Sequence, residues 1–186
     1  MNKEELIKKC IAGKKDAQYL LYQQYAAQML GLCYRYTKSL EDAEDVLQEG
    51  FIKVFTNIHQ YKNEGELGGW IRRIMINTAI TYINKHKRYK KEMINDDILL
   101  HAVSDDNPEI KLEAQDIVET IRQLPGNYQI VFNLIAIEGY KYSEVCDLLK
   151  LNINTIRSQY SRARAILIQD LKNNEVLNIK DNAKGI

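Results

Sequence analysis

Between Ser39 and Ile58 the apolar residues Ala43, Val46, Leu47, Phe51, Val54, Phe55 and Ile58 recur with helical spacing, and polar residues fill the gaps. That period gathers them on one side of an α-helix, so the segment is predicted to lie apolar side down on a neighbouring element. Ser39 stands in front of it as an N-cap, with Asp42 three residues on in a capping-box arrangement. The helical period runs through most of the chain. A long helix is expected over residues 16–38, with Tyr19, Leu20, Tyr22, Leu30, Cys33 and Tyr34 as its apolar and aromatic positions, and another starts at about Trp70. Only 9 Gly and 2 Pro occur in 186 residues, too few for a sheet-rich chain full of tight turns. An all-α fold follows.

At this length the chain forms one large domain or two small ones, and its punctuation favours two. The run YKNEGELGG, Tyr61 to Gly69, is glycine-rich and polar and reads as a loop. From Glu92 the periodicity weakens up to Asn107-Pro108, a linker signal. Leu124-Pro125-Gly126 and Glu138-Gly139 then divide a second helical unit. The expected organisation is an N-terminal helical domain (1–91), an acidic linker (92–109), a C-terminal domain containing a helix-turn-helix (110–172) and a polar tail (173–186) that frays.

Several function classes drop out. Cys10, Cys33 and Cys146 are odd in number and widely spaced, and His59, His86 and His101 cluster neither with them nor with one another. A disulfide framework and a zinc site are therefore not expected; each cysteine reads as a small buried hydrophobe in a reducing, cytoplasmic protein. No apolar run reaches the length of a membrane span, and MNKEELIKK is not followed by a secretory hydrophobic region. Without a nucleophile elbow, phosphate loop or metal-binding helix motif, no catalytic residue, metal or cofactor is expected.

The net charge of +1 conceals four segregated blocks. Glu41 to Glu49, EDAEDVLQE, carries five acids and no base. Ile71 to Lys91 carries seven Lys or Arg and no acid, and Glu92 to Glu119 carries nine acids against Lys111 alone. Arg157, Arg162 and Arg164 form a later basic cluster. A charge run is ordinarily a solvated face, but four alternating blocks fit more than one charged partner, or one partner touched at several places.

In the second unit, Tyr142–Leu149 and a helix from Ile153 to about Asp170 are separated by Lys150-Leu151-Asn152. The first packs through Tyr142, Val145, Cys146 and Leu149; the second, N-capped by Asn152, packs through Ile153, Ile156, Tyr160, Ala163 and Leu167. The early free face of the second helix shows Asn154, Arg157, Ser158, Ser161 and Arg162, with no acid before Asp170. Short donors mixed with arginines suit a helix that enters the major groove, reads base edges and neutralises phosphate. An ordinary helical hairpin with a basic surface has the same periodicity; pattern and charge together favour DNA. The turn lacks its usual glycine, which predicts local backbone strain or a different turn geometry.

In the first unit, Arg73, Asn77, Thr81, Lys85 and Arg88 share one face of the helix from Trp70, with Asn84 beside them. Ile71, Ile74, Met75, Thr78 and Tyr82 lie on the opposite, buried side. A polar-then-basic ridge beside a glycine loop suits single-stranded nucleic acid, with the loop as a pocket for an unstacked base. Trp70 can stack on a base, although a tryptophan at a helix start is more often core. Asp42, Asp45 and Glu49, with Gln48 adjacent, recur on the exposed side of the preceding helix; they suit a basic protein surface better than a metal, with Ile52 adding apolar contact.

Three stretches, in this order, resemble bacterial RNA polymerase sigma factors. DAEDVLQEGFIKVF (Asp42 to Phe55) is similar to their polymerase-binding helix, and GGWIRRIMINTAITYINKHKR (Gly68 to Arg88) to their promoter-melting, minus-ten-recognition helix. LPGNYQIVFNLIAIEGYKYSEVCDLLKLNINTIRSQYSRAR (Leu124 to Arg164) is similar to their minus-thirty-five-reading domain. The short linker resembles that of the small extracytoplasmic-function (ECF) group. The resemblance implies a non-enzymatic initiation factor that binds core RNA polymerase and promoter DNA, with an anti-sigma factor as a further partner. It assigns Asp42, Asp45, Gln48 and Glu49 to core-polymerase binding. Trp70, Arg73 and Asn77, with the ridge residues Thr81, Lys85 and Arg88, fall to the melted minus-ten element, and the Tyr61–Gly69 loop to base capture. Asn154, Thr155, Arg157, Ser158, Ser161 and Arg162 fall to the minus-thirty-five element. Lys150 stands where the family's turn glycine is usual, and Lys141 replaces a helix-capping serine. One rival reading is a stand-alone helix-turn-helix regulator, which binds duplex DNA without polymerase and leaves EDAEDVLQE unexplained; a second is an interaction protein or helical enzyme whose basic faces are merely solvated. Near-neutral charge predicts weak DNA binding by the chain alone.

Overall fold

The computed structural model describes residues 2–62, 64–93 and 112–183, with side chains for 2–62, 64–86 and 117–172. It divides into two compact units, Met1–Asp105 and Asp106–Ile186, and the described residues contain helices and no strand. Apart from residues 92 and 93, the expected acidic linker lies outside the described residues.

The first unit holds α1 (Lys3–Ile11), α2 (Lys15–Tyr36), α3 (Leu40–Asn57) and α4 (Leu67–Met93), with a 3₁₀ turn at Ile58–Gln60. Helices α2, α3 and α4 pack mutually, and α1 lies along α2. Their shared core contains Leu21, Met29, Leu32 and Tyr36 of α2, Val46, Phe51 and Val54 of α3, and Ile71, Met75 and Ile76 of α4. The α3 stripe is buried as its period predicts, with Phe55 half-buried at its edge. Ser39 caps the helix by accepting the Asp42 N–H at 3.0 Å. Gly50 permits the closest approach: a Cβ there would overlap Sδ and Cε of Met75.

Helix α2 departs from expectation. Tyr19, Leu20 and Tyr22 are exposed, at 61%, 47% and 36%, and the core is reached through Ala17, Leu21, Met29, Leu32, Cys33 and Tyr36. This helix is apolar on most of its circumference, so period alone does not choose the inward face. The tyrosines keep their polar ends in water, and Gln23 Nε2 donates to Tyr19 Oη at 2.8 Å. Cys10 and Cys33 are buried, and burial pushes the Cys33 thiol up to about 12; Cys146 is half-buried.

The second unit holds α5 (Leu112–Gln123), α6 (Gly126–Phe132) running into a π-turn at Asn133–Ile137, α7 (Tyr142–Leu149) and α8 (Ile153–Ala183). Ile121, Leu124, Ala163 and Leu167 form a core patch covered by Tyr128, Phe132 and Ile166. Val145 of α7 and Ile156 of α8 are fully buried, whereas Ile153, expected to pack inward, is 41% exposed at the first turn of α8. The helix also continues beyond Lys172 to Ala183, where the tail was expected to fray.

The α7–α8 turn bears out the strain read from the missing glycine. Lys150 has φ 56° and ψ 40°, the one positive φ outside glycine among the described residues. The Leu151 N–H donates to the Cys146 carbonyl at 3.3 Å, closing the end of α7 around that residue. A side chain in the left-handed region costs about 1–2 kcal/mol, partly offset because glycine is freer when unfolded. Lys150→Gly is therefore expected to stabilise the second unit by about 0.5–1 kcal/mol, seen as a higher urea midpoint by circular dichroism.

Candidate protein- and nucleic-acid-binding surfaces

On α3, Asp45, Gln48, Glu49 and Ile52 are all exposed, and their spacing of three, one and three residues sets them on one strip of the helix. Ile52 is 66% exposed, an apolar element at the end of an acidic strip. Such a surface can attract a basic protein face and then exclude water from it. Asp42 stands apart from its expected place on the exposed side. It is half-buried, and its Oδ1 accepts a hydrogen bond from the Tyr82 hydroxyl of α4, which reaches across the seam between the helices. Glu49 Oε1 pairs with Lys53 Nζ at 2.6 Å, and that ammonium also donates to Thr78 Oγ1 at 3.3 Å.

On α4, Arg73, Asn77, Thr81, Asn84 and Lys85 are exposed, while Ile71, Met75 and Thr78 are buried and Ile74 and Tyr82 half-buried, the division the spacing predicts. The Thr81 hydroxyl donates to the Asn77 carbonyl at 2.8 Å, leaving its oxygen free to accept. Arg88 is on α4, but its side chain lies outside the described residues.

The loop before α4 is shorter than its glycine content predicts, because the helix begins at Leu67. Leu67 is buried and anchors the first turn, and Gly68 admits the Tyr25 ring, whose Cε1 would sit 3.1 Å from a Cβ. Trp70 is half-buried with its ring 5.6 Å from that of Tyr61, so it is neither a core residue nor a free platform. Spacing did not single out Tyr61 or Lys3. The Tyr61 hydroxyl donates to the Gly65 carbonyl at 2.7 Å, and Lys3 Nζ reaches the same carbonyl at 3.4 Å. Both are contacts between distant or irregular segments, which no periodic signal marks.

On α8, Asn154, Arg157, Ser158, Ser161 and Arg162 are exposed together. Thr155 is half-buried, and both its N–H (2.8 Å) and hydroxyl (3.0 Å) donate to Asn152 Oδ1, the expected N-cap. Thr155 thus shapes the start of the helix more than it presents a free donor. Aromatic rings brace the arginines: Arg157 lies 5.9 Å from the Tyr142 ring centroid and Arg164 5.9 Å from that of Tyr160, while Arg162 Nη1 lies 3.5 Å from Tyr128 Oη. Lys141 caps α7 through its backbone alone, its N–H donating to Glu144 Oε2 at 2.7 Å. Among the described residues no three His, Cys, Asp or Glu side chains gather to hold a metal, and no helix is long and apolar enough to cross a membrane.

Comparison with known proteins identifies the family. The family model for Sigma-70 region 2 matches residues 21–89, and that for Sigma-70 region 4 matches residues 114–167, together more than half of the chain. The ECF RNA polymerase sigma-E factor of Haemophilus influenzae is 29% identical over 175 residues, covering 88% of this chain and 92% of the relative. The RNA polymerase sigma-H factor of Pseudomonas aeruginosa is 28% identical, covering 91% and 93%. Among solved structures, the sigma factor RpoE in complex with the anti-sigma factor NepR, from Bartonella quintana, has a TM-score of 0.58 at 21% identity, covering 81% of this chain and 96% of that one. CnrH in complex with the cytosolic domain of CnrY has a TM-score of 0.51 at 18% identity, covering 90% and 96%. The helical fold and the two matched regions define an all-helical DNA-binding factor. The chain belongs to the sigma-70 family, in its ECF group, and directs RNA polymerase in transcription initiation. The stand-alone regulator is not favoured, because the region 2 model matches residues 21–89, from within α2 into α4, beside the region 4 match.

The Asp42–Tyr82 contact carries a pH signature. Burial, and then the hydrogen bond to Asp42, push the Tyr82 phenol well above its ordinary range. The fold favours the neutral phenol, so its contribution is complete below pH 10 and declines as pH rises past the unfolded value. Between pH 9 and 11, wild type is expected to lose about 1 kcal/mol more stability than Tyr82→Phe, measured by urea unfolding at each pH.

Proposed function

We propose that the strip Asp45, Gln48, Glu49 and Ile52 docks core RNA polymerase, and that the rest of the chain reads two promoter elements and helps to open the duplex. The observation that carries this is the division of unlike surfaces: an acidic, apolar-tipped face on α3 and polar-to-basic faces on α4 and α8. An acidic strip is repelled by phosphate, so α3 suits a protein partner while α4 and α8 suit DNA. Trp70, Arg73, Asn77, Thr81, Lys85 and Arg88, with the loop before them, engage the unpaired minus-ten strand. Asn154, Arg157, Ser158, Ser161 and Arg162 read the minus-thirty-five element in the major groove, with Thr155 fixing the entry of α8.

The protein performs no covalent chemistry and works in the cytoplasm, where polymerase and promoter are. Its working parts are a polymerase-binding and melting domain (1–91), an acidic tether (92–109), an upstream-reading domain (110–172) and a terminal tail (173–186). RpoE and CnrH were each solved with a second protein, an anti-sigma factor in the first case. By extension, an anti-sigma factor holds this chain away from polymerase.

Transcription from a randomised promoter library by purified core polymerase, with and without this protein, tests the reading. Protein-dependent transcripts sharing two upstream elements are expected; specific duplex binding without stimulation would return the stand-alone regulator. Asp45→Lys combined with Glu49→Lys should remove copurification with core enzyme while leaving the helical circular dichroism spectrum intact, since both sites are exposed. Arg157→Ala and Arg162→Ala should each reduce selectivity for the upstream element by about tenfold, corresponding to ~1–3 kcal/mol per base contact, with core binding unchanged. Selectivity measured on the library transcripts decides this second point.

A further inference from the structure

Asp42 belongs to the acidic motif, yet its carboxylate is already engaged within the protein. Tyr82, half-buried on α4, donates its hydroxyl to Asp42 Oδ1. Burial and the Asp42 bond, with the negative charges of Asp45 and Glu41 adding to them, hold the phenol proton in place, so Tyr82 is a permanent donor at neutral pH. One turn earlier on α4, Thr78 Oγ1 accepts from Lys53 Nζ, which pairs with Glu49. Two members of the acidic motif, seven residues apart on α3, are thus tied to two residues four apart on α4. Asn77, Thr81 and Lys85, from the same turns of α4, face solvent.

Apolar packing between the helices is non-directional and permits small rotations, whereas a hydrogen bond fixes angle and register. We infer that Asp42 is the acceptor of an intramolecular pin rather than a direct polymerase contact, and that Tyr82 is a positioning residue through which docking on α3 sets the placement of the DNA-facing side of α4. This inference rests on the docking reading of α3 above. A rotation of α4 about its axis would swing Asn77 and Thr81 away from an unpaired strand while leaving the exposed strip of Asp45, Gln48 and Glu49 on α3 in place. Loss of the pin therefore uncouples polymerase binding from strand engagement.

The test uses the full chain with core polymerase and a promoter obtained from the library selection. Tyr82→Phe, Asp42→Ala and the double variant are compared for core affinity and for open-complex yield on duplex and on pre-melted promoter fragments. Core affinity is expected to stay within about twofold in all three, while yield on the duplex falls about five- to tenfold in each single variant. The double variant is expected to be no worse than either single, and the pre-melted fragment to restore the yield. Lys53→Met, which cuts the second tie, should show the same dependence on template, and it keeps the inference testable if Tyr82→Phe folds poorly. A tenfold loss of core affinity in Asp42→Ala with normal affinity in Tyr82→Phe would make Asp42 a direct contact and overturn the pin. So would multiplicative defects in the double variant, or equal loss on both templates, the signature of general loosening. Failure of the docking reading itself is seen separately, as core binding retained by Asp45→Lys/Glu49→Lys.

Discussion

The seam between α3 and α4 is the contact on which the first unit depends. Gly50 brings the two helices close enough for Met75 to fill the space where a side chain would stand, and Val46, Phe51 and Val54 add to the buried core they share with α2. Burying these groups supplies the non-directional attraction that holds the bundle together. The polar ties at its edge, Tyr82 to Asp42 and Lys53 to Thr78, add the directional element. Because an α-helix carries opposite faces on one rigid cylinder, the same seam that buries Ile71 and Met75 turns Arg73, Asn77 and Thr81 outward. Two unlike surfaces, one acidic and one polar-to-basic, are thus held on two helices that share one core.

In the second unit, the face proposed for recognition and the packing face share the same few turns. Ile156, Ala163 and Leu167 bury one side of α8, and Arg157, Ser158, Ser161 and Arg162 occupy the other. The arginines are not loose charges. Rings of Tyr142 and Tyr160 lie beside Arg157 and Arg164, and the Tyr128 hydroxyl lies near Arg162, which limits the rotamers that must be ordered on binding. Lys150 holds a backbone conformation that favours glycine because Leu151 and Asn152 must close α7 and open α8 within three residues. Strain at this turn is the cost of a short connection between two packed helices.

Much of the architecture was legible because one-sided burial leaves a periodic trace. The stripe from Ala43 to Ile58, the Ser39 and Asn152 caps, the breaks at Pro125 and Gly139, and the exposed row on α4 all follow from spacing or local hydrogen bonding. Where a helix is apolar on several sides the trace fails: α2 buries Leu21 and Met29 and leaves Tyr19 and Leu20 in solvent. Helix α1, nine residues beginning at an Asn2 cap, leaves little periodic trace because it is short and has only a brief apolar pattern. The start of α4 at Leu67 was masked by glycines that usually mark loops, and only the burial of Leu67 against the bundle settles it.

By itself the amino-acid sequence determined the helical class, the segregation of charge into acidic and basic faces, and the order of motifs that marks a sigma factor. All of these rest on residue identity and on spacing within about two turns of helix. The tertiary structure alone decided which acid is engaged and which is free. Asp42, Asp45 and Glu49 are equivalent in sequence period, yet Asp42 is half-buried on Tyr82, forty residues away, Glu49 is held by Lys53, and Asp45 is exposed. Likewise the Tyr61 hydroxyl and Lys3 converge on Gly65, and Trp70 rests on Tyr61 instead of entering the core. These pairings depend on the relative rotation and depth of packed helices, which is set by the sum of many weak apolar contacts and leaves no mark in local spacing.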